Sequence, residues 1–581
     1  MPPPRPLAAT EPADLDLSCP TAPASARFGD IYFSVEGGLA ESEAVFLRGC
    51  GLPKTFRPGF VIAEAGFGTG LNLLAAWRAW RASGRAGRLH FVSMERYPLD
   101  REQLARALAS FPSVAPLAHK LVAAWPGRVR GVHRREFSDL TLDLWHMDVA
   151  DALPEMRLRA DAWFLDGFSP ARNPDMWSAE TLARIAKLTL PGGRLASFTV
   201  AGHVRRALAD AGLEVERRPG FGRKRHRLEA RKPGRREASP EPRPVILGGG
   251  IAGTSVAHAL LREGIRPNLI RSPDHAAQAA SANPRALVKP RLDLQDRLES
   301  RFFLSAWGFA QHLYPAVSRG ITHRLRTASE AERYTRLALN RPLPARDFEV
   351  QGEVARFPTS PVIDPVAVCA AWSAGAKRVD ARAADWHRDT DGDWVVTDGT
   401  NTLARGTHLV LASGLHLKDA LSRLNLRASR GQLSWADVEL ADATTYGGYA
   451  IPVGARTLLG ATHDRVGRRD PYRLDAADDA RNARTLREHL GLVATALAPA
   501  RASVRVNTAD TLPVMGEVEP GLWVLGALGS RGFSHAPLLG AALAARILER
   551  PVPLTARQSA RLSPRRLVPK GPADRLAERP A

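Results

Sequence analysis

Two glycine-rich turns, one in each half of this 581-residue chain, constrain its fold more than any other feature. Each follows a short apolar stretch and precedes a helical one; the first spans Glu64 to Gly70 and the second Gly248 to Gly253. Glycine at such a turn lets the backbone pass close to a bound nucleotide. The glycines expected to meet a cofactor are Gly66, Gly68, Gly70, Gly248, Gly250 and Gly253. We therefore predict two cofactor sites and two enzymes fused in one polypeptide.

The composition is typical of a globular protein with several domains. The chain is too long for one hydrophobic core, its hydrophobic fraction is 44% and its mean hydropathy is -0.21. No apolar run reaches the ~20 residues of a membrane span, and the N-terminus lacks the basic-then-apolar order of a signal peptide. We expect a cytoplasmic location and no membrane contact.

The cysteines give no sign of a metal centre. Cys19, Cys50 and Cys369 are odd in number and far apart, so neither a disulfide framework nor a CxxC metal site is available. We expect no metal.

The charge balance indicates a polyanionic partner. The chain has 81 Lys and Arg against 60 Asp and Glu, a net charge of +21. Between Arg217 and Arg236 there are ten basic residues and one acid, a local field that suits phosphate contacts. We predict nucleic-acid contacts from Arg223, Lys224 and Arg225. A composition bias spread over the surface, or a solvated linker, is the alternative.

The order of apolar stretches predicts the domain organisation. We expect a flexible N-terminus over 1–26, a first domain over 27–231, a Pro-rich linker over 232–243, a second domain over 244–550 and an irregular basic tail over 551–581. The first domain alternates short strands and helices, which indicates an α/β fold with a doubly wound parallel sheet. The second begins in the same way and then becomes rich in short β-like runs, which favours a nucleotide-binding Rossmann domain interleaved with an antiparallel β substrate domain.

Acidic residues follow four of the predicted strands of the first domain. They are Glu64, Glu95, Asp148 and Asp166. The carboxyl ends of the strands are where a doubly wound sheet binds its ligands. Glu95 is placed to take ribose hydroxyls, Asp148 to hold an adenine amine and Asp166 to face the reacting group. A turn that packs aromatic residues on the core is the alternative for any one of them.

Three later runs favour FAD over NAD at the second turn. They are a small-residue loop over 280–286, an apolar strand and turn over 408–414, and a loop ahead of a helix over 524–533. The residues in them expected to contact the cofactor are Ser281, Asn283, Gly414, Gly529 and Gly532. One position departs from the usual pattern, because the second strand ends at Arg271 where an acid normally holds the FAD ribose; Asp274 is the nearest substitute.

Both halves resemble a known family of fused enzymes. The stretches 28–34, 41–47, 64–74, 166–177 and 219–225 are similar to the methyltransferase half of the bifunctional tRNA 5-methylaminomethyl-2-thiouridine biosynthesis proteins. The flavin-type runs, with 430–433 and 510–516, resemble the D-amino-acid-oxidase-type half of that family. The resemblance covers about 28–231 and 244–550.

The resemblance implies a class I methyltransferase using S-adenosylmethionine, a FAD-dependent oxidoreductase, and the wobble uridine of tRNA as substrate. FAD would first remove the carboxymethyl group of a 5-carboxymethylaminomethyl-(2-thio)uridine by oxidising its C–N unit, leaving a 5-aminomethyl group and releasing glyoxylate. N-methylation would then give the 5-methylaminomethyl product.

The resemblance also implies roles for four residues. Asp166 would assist methylation, Arg531 or Lys289 would hold the substrate carboxylate, and Tyr449 could orient the amine. A free amino-acid oxidase fused to an RNA methyltransferase, and an RNA-binding scaffold with decayed sites, are the alternatives. The sequence leaves the oligomeric state open, and a monomer is compatible with it.

Overall fold

The computed structural model describes residues 5–16, 18, 23–33, 37–222, 224–237, 240–273, 279–466 and 470–568. Three residues named in the sequence argument, Cys19, Arg223 and Asp274, lie outside these ranges, as do parts of the stretches 1–26, 28–34, 232–243 and 551–581. Within them, no helix is long and apolar enough to cross a membrane.

The first half contains eleven described strands. They are β1 (Leu15–Asp16), β2 (Ala24–Ser25), β3 (Asp30–Ile31), β4 (Phe60–Ala65), β5 (Leu89–Met94), β6 (Gly131–Glu136), β7 (Leu140–His146), β8 (Ala160–Leu165), β9 (Thr189–Ser197), β10 (Glu214–Pro219) and β11 (His226–Arg231). The α-helices here are Gly38–Ser42, Leu71–Ala82, Arg101–Leu108, Ala115–Ala123, Val149–Ala152, Ala179–Leu188 and Gly202–Asp210, with a π-turn at Glu43–Leu47 and 3-10 turns at Pro112–Val114, Leu153–Glu155 and Pro174–Trp177.

Eight of these strands form one sheet in the order β10-β11-β9-β8-β4-β5-β7-β6. The five central strands run parallel, while β6 at one edge and β10 and β11 at the other pair antiparallel. Strands β4 and β5 are buried throughout, because apolar clusters cover both faces of the sheet. The carboxyl ends of β4, β5, β7 and β8 therefore meet at one edge of a rigid sheet, as predicted.

The second half contains nineteen described strands. They are β12 (Pro244–Leu247), β13 (Asn268–Arg271), β14 (Ala286–Leu287), β15 (Ser318–Arg324), β16 (Glu349–Gln351), β17 (Val354–Ile363), β18 (Lys377–Asp380), β19 (Asp385–Arg388), β20 (Trp394–Thr397), β21 (Thr402–Gly406), β22 (His408–Leu411), β23 (Arg427–Ala436), β24 (Ala443–Thr445), β25 (Tyr449–Val453), β26 (Arg456–Gly460), β27 (Asp464–Arg465), β28 (Leu497–Asn507), β29 (Val514–Glu519) and β30 (Leu522–Gly526). The α-helices are Ile251–Arg262, Leu298–Leu313, Ala328–Asn340, Pro365–Ser373, Leu417–Ala420, Ala476–Leu490, Gly532–Ile547 and Ala556–Leu562, with 3-10 turns at Ala280–Ala282, Gly414–His416, Ser422–Leu424, Gly529–Arg531 and Pro564–Leu567.

Two large sheets organise this half. The first has the strand order β18-β13-β12-β22-β30-β29, and its first five strands are parallel. The second has ten strands, which pair mostly antiparallel and alternate along the chain with those of the first. The helices Ile251–Arg262 and Gly532–Ile547 pack closely, since a Cβ on Gly540 would lie 2.6 Å from the carbonyl carbon of Ser255. The predicted Rossmann domain interleaved with an antiparallel domain is confirmed.

The two halves pack against each other through buried polar contacts. His90 Nε2 lies 3.1 Å from Glu263 Oε2. Arg134 donates two bonds, of 2.7 and 2.6 Å, to Asp143 and a third, of 2.7 Å, to the carbonyl of Pro551. Burial alone would raise the pKa of Glu263, but His90 and nearby guanidinium groups outweigh burial and lower that pKa to about 2. The interface thus holds its charges in pairs.

The structure differs from the expectation at both termini. Residues 551–568 of the predicted irregular tail include the helix Ala556–Leu562, which begins with a capping box at Thr555, and Leu554 and Leu562 are buried. In the predicted flexible N-terminus, Leu7 is 1% exposed and its N–H donates to the carbonyl of Leu294. Neither segment carries a periodic apolar pattern, and the described residues of both contact the rest of the molecule.

Two candidate active sites

The first glycine turn fits a site for a nucleoside cofactor. Gly66, Gly68 and Gly70 all have positive φ angles, and a Cβ on Gly66 would lie 2.5 Å from the carbonyl oxygen of Asp166. The N–H of Gly68 donates to Glu95 Oε2 at 3.0 Å. Any residue other than glycine would be strained here and would push β4 away from β8. The predicted turn is therefore in place.

Two of the predicted acids are joined through one amide. Asn72 Nδ2 donates to Glu64 Oε1 at 2.9 Å and to Asp166 Oδ2 at 2.7 Å, and Ser93 Oγ donates to Glu64 Oε2 at 2.7 Å. Glu64 is 0% exposed, whereas Asp166 is partly exposed. Burial raises the pKa of Asp166 to about 7, against the bond from Asn72. Glu64 is therefore a buried support, whereas Asp166 is partly accessible from solvent. The sequence analysis did not single out Asn72.

The other two acids lie at the same edge of the sheet. Glu95 accepts backbone bonds from Gly68 and Tyr97, and burial raises its pKa to about 7 against these bonds. Asp148 caps the helix Val149–Ala152 through the N–H of Ala150 and accepts a 2.8 Å bond from Arg96. Glu95 thus lies beside the glycine turn, whereas the carboxylate of Asp148 is already used in structural bonds.

Aromatic rings stand beside Asp166. The ring of Phe168 stacks on Phe28 with centroids 4.4 Å apart and meets Tyr32 edge-on at 5.4 Å. Trp177, the last residue of the stretch 166–177, is buried, and its indole N–H donates to the carbonyl of Phe168. Trp177 therefore fixes the loop, whereas Phe28 and Tyr32 contact the Phe168 ring next to Asp166.

Basic residues border the first site. Lys224 Nζ lies 3.1 Å from Glu41 Oε1 and 4.4 Å from the ring centroid of Phe198. Both Lys224 and Arg225 are exposed. The predicted RNA-contact residue Arg223 lies outside the described residues.

The second glycine turn fits a dinucleotide site. A Cβ on Gly253 would overlap the carbonyl oxygen of Gly248, and a Cβ on Gly250 would lie 3.2 Å from Ser281 Oγ. That hydroxyl also accepts a 3.0 Å bond from the N–H of Ile251, at the start of the following helix. The helix start and the Ser281 loop therefore face each other across the turn, where a pyrophosphate can be held.

The remaining predicted flavin contacts lie on two turns. Gly414 has a φ angle of 60° and opens a 3-10 turn after β22, with nothing within 4 Å of its Cβ position. Gly529 has a φ angle of 57°, and a Cβ there would overlap Asn507 Oδ1. Gly532 begins the helix Gly532–Ile547, preceded by the exposed Arg531.

Cations gather around the second site. Burial, followed by the charge of Arg531, lowers the pKa of Lys289 to about 7, and Lys289 Nζ donates to Thr445 Oγ1 at 3.1 Å. Arg501 Nη1 donates to Asn283 Oδ1 at 3.2 Å, and both Arg501 and Arg505 act electrostatically on Tyr449. The arrangement can hold a carboxylate. The sequence analysis missed Arg501 and Arg505, because both lie on β28, far from any motif.

The position where an acid normally binds the FAD ribose is occupied by Arg271, which is paired with another side chain. Its Nε donates to Asp380 Oδ1 at 2.5 Å, and its Cβ lies 3.0 Å from the Cβ position of Gly249. Asp380 ends β18, the strand next to β13. An acid is thus present near this edge, supplied by a neighbouring strand and paired with Arg271; the expected substitute Asp274 lies outside the described residues.

No group of three or more His, Cys, Asp and Glu side chains in the described ranges is placed to hold a metal ion.

Comparison with known proteins agrees with this division into two sites. A family model for S-adenosyl-L-methionine-dependent methyltransferases matches residues 112–233, and one for FAD dependent oxidoreductases matches residues 244–546. The chain is also similar to iminodiacetate oxidase from Chelativorans sp. BNC1, at 17% identity and a TM-score of 0.46, covering 55% of this chain and 99% of that one.

Curated relatives match nearly the whole chain. The tRNA 5-methylaminomethyl-2-thiouridine biosynthesis bifunctional protein MnmC of Caulobacter vibrioides is 43% identical over 92% of this chain and 94% of its own length. The protein of that name from Maricaulis maris is 40% identical over 93% of each chain. The chain therefore belongs to the MnmC family, with an S-adenosylmethionine-dependent methyltransferase in its first half and a FAD-dependent oxidoreductase in its second.

Proposed function

We propose that this chain performs two successive reactions on a wobble uridine of tRNA. The oxidoreductase half converts 5-carboxymethylaminomethyl-(2-thio)uridine to the 5-aminomethyl nucleoside, and the methyltransferase half converts that to 5-methylaminomethyl-(2-thio)uridine. The observation that carries this proposal is the pairing of a cation-lined and an acid-lined site, each beside an intact glycine turn, in a chain that matches its MnmC relatives over nearly their full length.

In the oxidoreductase half, the chain binds and orients the carboxymethylamino group. Gly248, Gly250 and Gly253 would hold the FAD pyrophosphate, with Ser281, Asn283, Gly414, Gly529 and Gly532 as further contacts; when bound, FAD supplies the two-electron acceptor for oxidation of the substrate C–N bond. Lys289 and Arg531 hold the substrate carboxylate. Tyr449 orients the amine. Hydrolysis of the resulting substrate imine leaves the aminomethyl group and releases glyoxylate.

In the methyltransferase half, Asp166 prepares the amine. Gly66, Gly68, Gly70 and Glu95 would hold S-adenosylmethionine, which supplies the methyl group, with Glu64 supporting the turn and Asp148 at the adenine end. A primary alkyl amine resembles lysine, with a pKa near ~10.4, and must attack as the neutral base. Asp166 accepts an N–H bond from that amine and receives its proton. Its pKa of about 7 suits this exchange.

The RNA substrate would lie along the basic border of the first site. Lys224 and Arg225 are exposed there, and Asp166 is partly accessible from solvent. Arg223 is included on its sequence position alone. A cytoplasmic enzyme that contacts neither a membrane nor a metal, and acts as a monomer, is compatible with this proposal.

Mass spectrometry of tRNA nucleosides tests the proposal. Undermodified tRNA carrying the carboxymethylaminomethyl group is incubated with the purified protein, with and without S-adenosylmethionine. We expect loss of the carboxymethyl group in both samples and gain of a methyl group only in the second. Flavin reduction by free glycine or sarcosine, with the tRNA nucleosides unchanged, would contradict the proposal and favour a free amino-acid oxidase.

A further inference from the structure

Lys289 is the first member of a chain of side chains that runs away from the second site. Its Nζ donates to Thr445 Oγ1 at 3.1 Å. Thr445 Oγ1 lies 2.8 Å from His323 Nδ1, and His323 Nε2 lies 3.2 Å from Glu330 Oε1. These four residues come from the loop after β14, from β24, from β15 and from the helix Ala328–Asn340. Because they are far apart in sequence, only the fold brings them together.

One assignment of protons lets every bond in this network point the same way. Burial, and next the charge of Lys289, lower the pKa of His323 to about 4, so its ring is neutral and carries one proton. With that proton on Nε2, His323 donates to the Glu330 carboxylate, and Nδ1 accepts the hydroxyl proton of Thr445. In the other tautomer, Nδ1 donates to the carbonyl of Thr445 at 3.2 Å and the Thr445 hydroxyl donates to the carbonyl of Thr322 at 3.4 Å. Thr445 Oγ1 accepts from Lys289 in both, and the Glu330 carboxylate favours the first tautomer.

The backbone at Lys289 is held from two helices. Trp307 Nε1 donates to the carbonyl of Val288 at 3.2 Å, and Ser534 Oγ donates to the carbonyl of Lys289 at 3.4 Å. The Lys289 ammonium also lies 5.4 Å from the ring centroid of Phe357. The backbone and the end of this side chain are thus both fixed, which a surface lysine would not need.

We infer that Thr445, His323 and Glu330 are positioning residues that hold the Lys289 ammonium in place to bind the substrate carboxylate. This inference rests on the proposed function of the oxidoreductase half. The need for such a chain is electrostatic, because Arg531 and Arg333 both oppose a charge on Lys289, while Glu330 favours it. These hydrogen bonds link the Lys289 ammonium to the Glu330 carboxylate.

Competitive labelling of the holoenzyme with acetic anhydride over a range of pH tests the hydrogen bond between Lys289 and Thr445, and it needs no tRNA. The extent of acetylation at Lys289 is read by peptide mass spectrometry against the exposed Lys418. We expect Thr445→Val to lower the labelling midpoint of Lys289 by about one pH unit, since a hydrogen bond that stabilises the ammonium is lost. Thr445→Ser, which keeps the hydroxyl, should match the wild type. Equal midpoints for the valine variant and the wild type, or equal shifts in both variants, would overturn the inference.

Separate measurement of KM and kcat tests whether these hydrogen-bonded side chains serve substrate binding. With a carboxymethylaminomethyl anticodon stem-loop as substrate, Thr445→Val should raise KM roughly tenfold and leave kcat within about twofold. The matched control is Thr444→Val, one residue earlier on β24, whose hydroxyl donates to the carbonyl of Asp442 at 3.1 Å. A fall in kcat at unchanged KM would contradict the positioning role. If the wild type does not turn over the stem-loop at all, the proposed function fails, and the labelling result still decides whether the chain holds Lys289.

Discussion

Carboxyls lie beside the first glycine turn, whereas cations, among them Lys289 and Arg501, surround the second site. Glu64, Glu95 and Asp166 all have raised pKa values, and Lys289 has a lowered one, although burial is the leading cause in every case. The two turns look alike in sequence, each a strand, a bend and a helix. What separates the two sites is the sign of the charge that the surrounding strands place next to the turn.

This difference matches the chemistry proposed for each half. A sulfonium donor and an amine are cationic, so carboxyls favour their binding, while a carboxymethyl group needs a cation beside the oxidising cofactor. Burial disfavours the charged form of each group, which is why these pKa values shift, and it strengthens each charge that is present, since fewer water molecules compete with it. Charge next to the cofactor turn is thus a better guide to the reaction than the turn itself.

Removing the charge of Asp166 should have the largest effect. Asp166→Asn is expected to lower the methylation rate roughly 10³-fold, because the amide can no longer accept the amine proton. Methyl transfer from labelled S-adenosylmethionine to 5-aminomethyl tRNA measures this. Flavin reduction by carboxymethylaminomethyl tRNA is the control and should be unchanged; normal methylation would remove Asp166 from the mechanism.

A side chain added at the second glycine turn should abolish flavin binding and leave methylation intact. Gly253→Ala places a methyl group against the carbonyl of Gly248, so we expect the purified protein to retain less than about a tenth of its flavin. Absorbance at the flavin band measures this, and methylation of 5-aminomethyl tRNA should persist. Gly308→Ala, in a helix with only an Arg135 nitrogen at 3.9 Å from its Cβ position, is the matched control. Full flavin content in Gly253→Ala would show that the turn lies outside the cofactor site.

Removing the buried cation should weaken substrate binding in the second half. Lys289→Met is expected to lower kcat/KM for the oxidation roughly 30- to 100-fold, because the substrate carboxylate loses a buried charged partner. Stopped-flow reduction of the flavin by the stem-loop substrate checks this. The Met variant should bind a substrate amide, which lacks the carboxylate charge, as well as the wild type does; an equal loss for both would contradict carboxylate binding.

The pH dependence of methylation should report on Asp166. A carboxyl with a pKa of about 7 is mostly protonated at pH 6 and mostly ionised at pH 8. Since the ionised form is the active one, its contribution to kcat should fall about tenfold from pH 8 to pH 6. Single-turnover rates over that range measure it. The residual rate of Asp166→Asn should lack the inflection near pH 7, and an inflection that persists in this variant belongs to another group.

The smallest effect should follow from the exposed pair at the edge of the second sheet. Asp380→Asn removes the partner of Arg271, and an exposed ion pair contributes little. We expect FAD affinity to change less than about threefold, measured by flavin fluorescence on the apoprotein. A loss above tenfold would mean that Asp380 itself holds the ribose.

Local patterns in the sequence were enough to predict the two cofactor turns. The helix Leu71–Ala82 follows the first turn and the strand Leu89–Met94 precedes Glu95, where the sequence predicts a helix and a strand, because strong periodicity and flanking glycines define both. The edge strand β6 and the helix Ala115–Ala123 carry weaker patterns, which do not predict them. Near Lys289, the partners Thr445 and His323 come from distant strands, and a single sequence holds no signal for such contacts.

The central claim, that each turn serves one of two separate reactions, is tested most directly by nucleoside mass spectrometry of the two variants side by side. With carboxymethylaminomethyl tRNA and S-adenosylmethionine present, Asp166→Asn should accumulate the 5-aminomethyl nucleoside, and Gly253→Ala should leave the carboxymethylaminomethyl nucleoside untouched. The same nucleoside accumulating in both variants, or full conversion in either, would contradict the division of chemistry between the two sites.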